Sequence, residues 1–343
     1  MRDPSSPPTR VLIVEDNAGD ARLVQVLLAE VGGFDLTWKQ DLHEAIAWLT
    51  DHRFDAVLLD LSLPDSQGVH TIDAMRAAAP DLAVVVCTGL NDEAVGVAAV
   101  KRGCQDYLVK GQGDGQMIGR TITYAVERKA IECERAQSTE RMKRVMLQTV
   151  RAVSLTLEMR DPYTAGHQRR VAQLAVAIGE RMGLDANMLE GLHTGALIHD
   201  LGKINVPSDF LSRPGKLSEA AFAVIKSHPE VGAEIVGEID FPWPVADMIR
   251  QHHERLDGTG YPLGLKGSQI TLEARILGVA DVVEAISSHR PYRPSLGIEA
   301  ALKEIQDKAG TQYDPAVVEA CLRVIHDNGN AVFRDDADLP HVY

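Results

Sequence analysis

Residues 56–60 read Ala-Val-Leu-Leu-Asp, an unbroken apolar run of strand length that ends in a carboxylate. Comparable short runs recur in the first third of the chain, at 11–14, 83–87 and 107–109, with a weaker one at 36–39. Such runs are typical of parallel strands that are buried on both faces. Helical patterns separate them, at 18–31, 43–50 and 92–102. The alternation predicts an α/β domain over residues 10–115, with a doubly wound, five-stranded parallel sheet of the flavodoxin-like kind.

The sequence changes character after residue 115. Residues 116–150 are rich in Glu, Arg, Lys, Ala and Gln and contain neither Gly nor Pro after Gly119, which predicts a long helical linker. Three apolar residues share one heptad position in it, namely Tyr124, Ile131 and Val145. Polar residues weaken the companion position, namely Thr121, Arg128 and Arg135. A solvated linker helix and a homodimeric coiled coil therefore both remain open.

The rest of the chain shows only helical patterns, broken by loops rich in Gly and Pro at 207–216 and 255–267. We therefore expect an all-α bundle over residues 151–326. The polar ends predict a disordered N-terminus at 1–9 and a C-terminal tail at 327–343. The length of 343 residues is itself typical of about two domains.

The composition argues against several classes of partner. There are 35 Lys and Arg against 49 Asp and Glu, which gives a net charge of −14. DNA, RNA and anionic membranes bind basic surfaces, so this acidic chain is not expected to bind them. No apolar run is long enough to span a bilayer, and the first nine residues lack the apolar core of a signal peptide. The four cysteines are scattered without metal or redox spacing, so we expect a cytoplasmic protein.

Polar side chains stand at the ends of the predicted strands. Glu15 and Asp16 follow the first strand, Asp60 ends the third, Thr88 the fourth and Lys110 the fifth. Because the carboxyl ends of parallel strands meet at one edge, we expect these side chains to lie together. Carboxylates so close need a cation, and Mg²⁺ prefers oxygen ligands. A carboxylate beside Mg²⁺ can accept a phosphoryl group. The hydroxyl of Thr88 and the ammonium of Lys110 could then bind the phosphoryl oxygens. Helix capping would explain two of the acids but not all five positions.

These positions resemble the receiver domain of response regulators. The resemblance rests on four motifs: Val-Glu-Asp at 14–16, Leu-Asp-Leu-Ser-Leu-Pro-Asp at 59–65, Cys-Thr-Gly at 87–89 and Tyr-Leu-Val-Lys at 107–110. It implies that Asp60 accepts a phosphoryl group from a cognate sensor histidine kinase. It also implies that Glu15 and Asp16 hold Mg²⁺ together with Asp60, and that Thr88, Tyr107 and Lys110 form the switch.

Five predicted helices of the second half carry a titratable side chain on their apolar face: His167, His199, His228, His252 and Asp281. His228, for example, continues the pattern of Val224, Val231 and Ile235, and the helix of His167 is expected to begin with Asp161 as N-cap and Pro162. A single buried histidine is usually a hydrogen-bonded core residue. Five such side chains buried together would leave several without a hydrogen-bond partner, whereas a metal centre can bind all of them. Imidazoles with carboxylates suit Fe, Mn, Zn or Ni.

Two adjacent pairs, His199-Asp200 and His252-His253, extend this prediction. Neighbouring helical residues diverge by about 100°, so each pair can reach two ions, and the Asp200 carboxylate can bridge. The predicted ligands are His167, His199, Asp200, His228, His252, His253 and Asp281. Two ions with an open position are a standard device for phosphodiester hydrolysis. Lys203, one turn after Asp200, could present an ammonium to the phosphate, so Asp200 and Lys203 are the candidate catalytic residues.

The same residues resemble the HD-GYP phosphodiesterases. The motifs are His-Asp-Leu-Gly-Lys-Ile at 199–204, His-His-Glu-Arg-Leu-Asp-Gly-Thr-Gly-Tyr-Pro at 252–262, Arg-Pro-Tyr-Arg at 290–293, and Asp-Pro-Tyr-Thr at 161–164 followed by His167. The resemblance implies hydrolysis of cyclic di-GMP to pGpG or GMP, with iron as the first choice of metal and manganese as another. By position, Tyr261 would contact a guanine or ribose, and Arg290 and Arg293 the phosphate or base. Tyr163 stands where members with a third metal carry an acidic residue, so we predict a dinuclear centre.

The two resemblances together predict a response regulator whose phosphorylation controls cleavage of cyclic di-GMP. The alternative is a non-catalytic cyclic-dinucleotide sensor, or an adaptor that docks a diguanylate cyclase through the Gly-Tyr-Pro loop. Such a protein would be expected to have lost a metal ligand, and none is missing here. Another nucleotide phosphoester, such as a mixed cyclic dinucleotide, stays open as the substrate, as does the direction of the phosphorylation effect.

Overall fold

A computed structural model describes residues 7–89, 93–160, 166–211, 215, 218–288 and 295–333. The chain divides into two compact units, Met1–Arg141 and Met142–Tyr343. Within the described segments, no helix is both long and apolar enough to cross a membrane.

The first unit contains the predicted parallel sheet, with strand order β2-β1-β3-β6-β7. Its strands are β1 (Thr9–Val14), β2 (Phe34–Lys39), β3 (Ala56–Asp60), β6 (Ala83–Thr88) and β7 (Asp106–Val109). A two-residue antiparallel pair, β4 (Ser62–Leu63) and β5 (Ser66–Gln67), follows β3. The five predicted strands and the fold class are confirmed.

Helices cover both faces of this sheet: α1 (Ala18–Val31), α2 (Leu42–Asp51), α3 (Val69–Ala78), α4 (Glu93–Lys101) and the first part of α5 (Gly115–Arg160). Alternate strand residues enter two separate cores. Leu12 and Val57 lie in one, and Val11 and Leu58 in the other, all fully buried or nearly so. Burial of both faces explains why the strands are unbroken apolar runs.

Helix α5 is 46 residues long and exceeds the predicted linker at both ends. Ile118 and Ile122 pack into a core of the first unit, whereas Val150 and Leu157 belong to the core of the second. The heptad residues of the predicted seam, by contrast, face solvent: Tyr124, Ile131 and Val145 are 52%, 50% and 49% exposed.

The second unit is helical, as predicted. After α5 it contains α6 (His167–Arg181), α7 (Ala186–Ile198), α8 (Ser208–Leu211), α9 (Glu219–Ile225), α10 (His228–Gly237), α11 (Val245–Gln251), α12 (Leu272–Ser287), α13 (Ile298–Asp307) and α14 (Pro315–Asn328). Short 3-10 helices occur at Leu201–Asn205, Gly267–Gln269 and Gly329–Phe333. Leu174, Ile178, Leu192, Met248 and Leu277 are fully buried or nearly so in its single large core.

Two details of the helix predictions are wrong. Helix α6 begins at His167, after Gly166 in a left-handed conformation (φ 71°), and not at Pro162; residues 161–165 lie outside the described part. The apolar face predicted for His228, which included Val224 and Ile235, is also wrong. Val224 lies in α9 and His228 in α10, so the two residues do not share one helix. Val224 and Ile235 are 38% and 41% exposed, and α10 instead buries Ala233 and Val236.

Candidate functional site

The structure brings all seven predicted metal ligands together in the second unit. Their ligand atoms form clusters in which every pair lies within 4.8 Å: His167 with His199 and Asp281, His228 with His252 and His253, and His199 with Asp200 and His252. Six of the seven side chains are buried, and His253 is partly exposed. The clusters share members, so together they form one continuous centre.

Asp200 lies between the two histidine clusters. Its Oδ1 is 3.3 Å from Nε2 of His228, and its Oδ2 is 3.6 Å from Nε2 of His199 and 3.8 Å from Nε2 of His167. Lys203 and Gln168 hold the same Oδ2, with nitrogen–oxygen distances of 2.6 and 3.1 Å. Each carboxylate oxygen thus faces a different cluster, as a bridging ligand requires.

Backbone carbonyls orient three of the imidazoles in the same way. The Nδ1 atoms of His199, His228 and His252 lie 2.7, 2.8 and 2.6 Å from the carbonyl oxygens of Ala196, Ile225 and Ile249. In a neutral imidazole this contact assigns the proton to Nδ1 and leaves the Nε2 lone pair free. Metal-binding histidines are commonly oriented by such contacts.

The free lone pairs fit a metal ion. Nε2 of His228 and Nε2 of His252 are only 3.4 Å apart, although neither carries a proton in this tautomer. Nε2 of His199 is buried and has no hydrogen-bond partner in the described part of the chain. Facing lone pairs repel, and a buried acceptor without a partner is costly, so divalent cations bound in the two clusters would satisfy these nitrogens. Nitrogen donors with carboxylates fit transition metals better than Ca²⁺ or Mg²⁺.

The protonation states also suit metal binding. Burial lowers the pKa of His199, His252 and His253, and lowers that of His228 to about 4. Burial acts upward on the pKa of Asp200, but Lys203 and the surrounding imidazoles outweigh it and hold that pKa well below its usual range. At neutral pH the imidazoles are therefore neutral and the carboxylate ionised, which is the form that binds metal.

Glu284 supports His167 from behind and was missed by the sequence prediction. Its carboxylate accepts a hydrogen bond from Nδ1 of His167, and Arg170 and Ser288 hold it at 2.6 and 2.7 Å. Although burial opposes the change, the His167 contact, Ser288 and Arg170 lower the pKa of Glu284 to about 2. The only signal in the sequence was its spacing, one helical turn after Asp281.

Most of the ligands lie at helix ends. His167 and His228 begin α6 and α10, and His199 and His252 follow the last residues of α7 and α11. Both imidazoles of the His252-His253 pair enter the cluster of His228, with ring centroids 4.0 Å apart, and His252 also belongs to the cluster of His199 and Asp200.

Tyr261 lies beside this cluster, in a loop that Glu254 holds in place. The Glu254 carboxylate accepts hydrogen bonds from three successive backbone N–H groups, those of Leu263, Gly264 and Leu265, at 2.7 to 3.1 Å. A Cβ atom at Gly260 would collide with the backbone of Glu254. The Tyr261 ring lies 4.7 Å from the His253 ring. The sequence prediction missed Glu254, and Arg290, Arg293 and Tyr163 lie outside the described residues.

The first unit gathers its predicted acidic residues at the carboxyl edge of the sheet. Ligand oxygens of Glu15, Asp16 and Asp60 lie within 4.8 Å of one another. Nζ of Lys110 is 2.6 Å from Glu15 and 2.7 Å from Asp60, and these carboxylates raise the pKa of Lys110 although burial opposes it. Burial raises the pKa of Glu15.

Two of the three predicted switch residues of this unit occupy neighbouring strands. Thr88 is buried at the end of β6, and its hydroxyl lies 3.4 Å from the carbonyl oxygen of Leu108. Tyr107 in β7 packs its ring against Gly96 of α4, where a Cβ atom would collide with it. The ring therefore lies against α4, the helix that follows Thr88 along the chain.

Comparison with known proteins extends both assignments. Residues 11–122 match the family model of the response regulator receiver domain, and residues 151–317 match that of the HD domain. The protein named Cyclic di-GMP phosphodiesterase response regulator RpfG, from Xanthomonas campestris, is 32% identical over 294 residues, 82% of this chain and 78% of that protein. The chain belongs to the receiver–HD-GYP response regulators.

Further relatives of this receiver–HD-GYP protein differ in their named substrates. A Cyclic di-GMP phosphodiesterase of Thermotoga maritima is 28% identical over 352 residues, which cover 96% of this chain and 95% of that one. The 3'3'-cGAMP-specific phosphodiesterase 3 of Vibrio cholerae is 35% identical over 193 residues, 56% of this chain and 41% of that one. Family membership therefore does not tell which bases the cyclic dinucleotide substrate carries, and the residues of the site must decide this.

Proposed function

We propose that this protein hydrolyses a phosphodiester of cyclic di-GMP at a dinuclear metal centre, and that phosphorylation of Asp60 regulates the reaction. The observation that carries the proposal is the position of Asp200, whose Oδ1 faces Nε2 of His228 and whose Oδ2 faces Nε2 of His199. The names of the full-length relatives support cyclic di-GMP as the substrate.

The clusters suggest how the ligands divide. His167, His199 and Asp281 would hold one ion, His228, His252 and His253 the other, and Asp200 would contact both. Two transition-metal ions bound there, iron or manganese, would activate a water molecule and neutralise charge on the phosphoryl group. The chain supplies the neutral imidazoles, the ionised carboxylates and the buried surroundings that such a centre needs.

Among the described residues, Lys203 lies where a cation could act on the substrate's charge. Its Nζ lies 2.6 Å from Oδ2 of Asp200, and 22% of its side chain is exposed, so the ammonium lies between the buried centre and solvent. We assign it to stabilise negative charge on the phosphoryl oxygens. Tyr261 would contact a base or ribose beside His253, and Arg290 and Arg293 remain proposed contacts to phosphate or base.

The first unit would control this activity. A sensor histidine kinase would phosphorylate Asp60 beside Mg²⁺ held by Glu15, Asp16 and Asp60. Lys110, already in contact with Asp60, would bind the phosphoryl oxygens, and Thr88 and Tyr107 would rearrange. The linker, residues 116–150 of α5, would transmit the change to the domain at 151–326.

We propose that the exposed seam of α5 pairs two copies of the chain. Tyr124, Ile131 and Val145 lie at one heptad position, and about half of each side chain is accessible in the single chain. Pairing with the same helix of a second copy would cover them, and a parallel pair would place each residue opposite its own copy.

A substrate panel tests the proposed activity. Purified protein loaded with Fe²⁺ or Mn²⁺ under reducing conditions would be incubated with cyclic di-GMP, 3'3'-cGAMP and cyclic di-AMP, and the products separated by chromatography. We expect pGpG or GMP from cyclic di-GMP, at a rate that changes when Asp60 is phosphorylated. Absence of product from cyclic di-GMP in the metal-loaded protein would overturn the assignment.

A further inference from the structure

A lysine lies between two aromatic rings beside the metal-ligand cluster. Nζ of Lys226 is 4.9 Å from the ring centroid of Phe222 and 5.3 Å from that of Tyr261. Phe222 lies one helical turn earlier in α9, and Tyr261 belongs to the loop that Glu254 holds. The contacts therefore join α9 to the loop through one cation.

This group adjoins the centre but is not part of it. The Tyr261 ring lies 4.7 Å from the ring of His253, and His228 follows Lys226 by two residues. None of the described carboxylates lies within ion-pair distance of Lys226, and this residue is exposed. Its ammonium therefore keeps donors for a ligand, while the two rings hold it in place.

The chemistry of the group matches a nucleobase. Phe222 is 46% exposed, so part of its ring can stack on a base, and stacking does not discriminate between bases. An ammonium does discriminate, because guanine offers O6 and N7 as adjacent acceptors, whereas adenine offers N7 beside an amino donor.

We propose that Phe222, Lys226 and Tyr261 form a base subsite that selects guanine over adenine in the cyclic dinucleotide. The inference rests on the proposed function and adds to it the residues that choose the base. Stacking on Phe222 gives affinity, and hydrogen bonds from Lys226 to O6 and N7 give selectivity.

Inhibition constants test the subsite separately from turnover. The full-length, Mn²⁺-loaded protein would hydrolyse bis(p-nitrophenyl) phosphate, a small diester without a base, while cyclic di-GMP or cyclic di-AMP is added as competitor. The variants are Lys226→Met, Lys226→Arg and Phe222→Ala. Lys303→Met, an exposed lysine of α13, is the matched control.

We expect Lys226→Met to weaken the binding of cyclic di-GMP about tenfold. It should have little effect on the binding of cyclic di-AMP or on hydrolysis of the small diester. Lys226→Arg should restore most of the preference, and Phe222→Ala should weaken both dinucleotides to a similar extent. The proposal would be overturned if Lys226→Met left the ratio of the two inhibition constants unchanged. This includes the case in which both dinucleotides bind more weakly by the same factor, which indicates a phosphate contact. Failure of the proposed function looks different: the wild type would bind cyclic di-GMP without forming product from it.

Discussion

Glu284 accepts a hydrogen bond from Nδ1 of His167 and thereby turns Nε2 of that imidazole toward Asp281, 3.4 Å away. Carboxylates in this position orient metal-binding histidines and strengthen them as ligands. The Glu284→Gln substitution keeps the shape but removes the charge. We expect a loss of roughly 10- to 100-fold in metal affinity, measured by competition with a chelator. Glu319→Gln, on the surface of α14, is the control. Equal affinities in the two variants would show that Glu284 has no such role.

Lys203 should affect the chemical step more than metal binding. We expect Lys203→Met to lower kcat for cyclic di-GMP by about 100-fold, as loss of a charge-stabilising group does at other active sites. Metal content should stay that of the wild type, because all seven ligands remain. The check is a steady-state assay paired with metal analysis of the same sample. A kcat near that of the wild type would remove Lys203 from the catalytic residues.

Acidification should destabilise the metal-free protein. Burial lowers the pKa of His228 to about 4, whereas an unfolded histidine titrates near pH 6.5. Below pH 6.5 the unfolded chain therefore binds a proton that the folded chain rejects, so stability is lost progressively as the pH falls from 6.5 to about 4. The urea midpoint of metal-free protein should drop between pH 7.5 and 5, and less so in His228→Asn. Identical pH profiles for the two proteins would contradict this.

The exposed seam of α5 makes a prediction about assembly. Ile131→Asp places a charge at the centre of the seam, so we expect sedimentation equilibrium to change from dimer to monomer. Ile239→Asp alters an equally exposed isoleucine outside α5 and should leave the mass unchanged. A wild type that is already monomeric at micromolar concentration would exclude the coiled coil.

The sequence was most informative where each residue reports on its own surroundings. Strands such as 56–60 are unbroken apolar runs because both sheet faces are covered, so their number and class were predictable. The ligand set could be predicted because imidazoles and carboxylates such as His199, Asp200 and Asp281 need a common reason to be buried. Glu284 was missed because His167 and Arg170 come from a distant part of the chain. Glu254 was missed because its partners are backbone N–H groups, which a side-chain pattern does not reveal. The face of His228 was mispredicted because the break between α9 and α10 leaves no clear mark in the apolar spacing.

The central claim is that two metal ions, joined through Asp200, carry out the hydrolysis. Titrating metal-free protein with Fe²⁺ or Mn²⁺, and recording bound metal and cyclic di-GMP turnover in the same samples, tests it most directly. We predict that turnover rises with metal content and reaches its maximum at about two ions per chain. Asp200→Ala should be inactive while its far-ultraviolet circular dichroism stays native. Full activity in that variant, or three tightly bound ions per chain, would contradict the account.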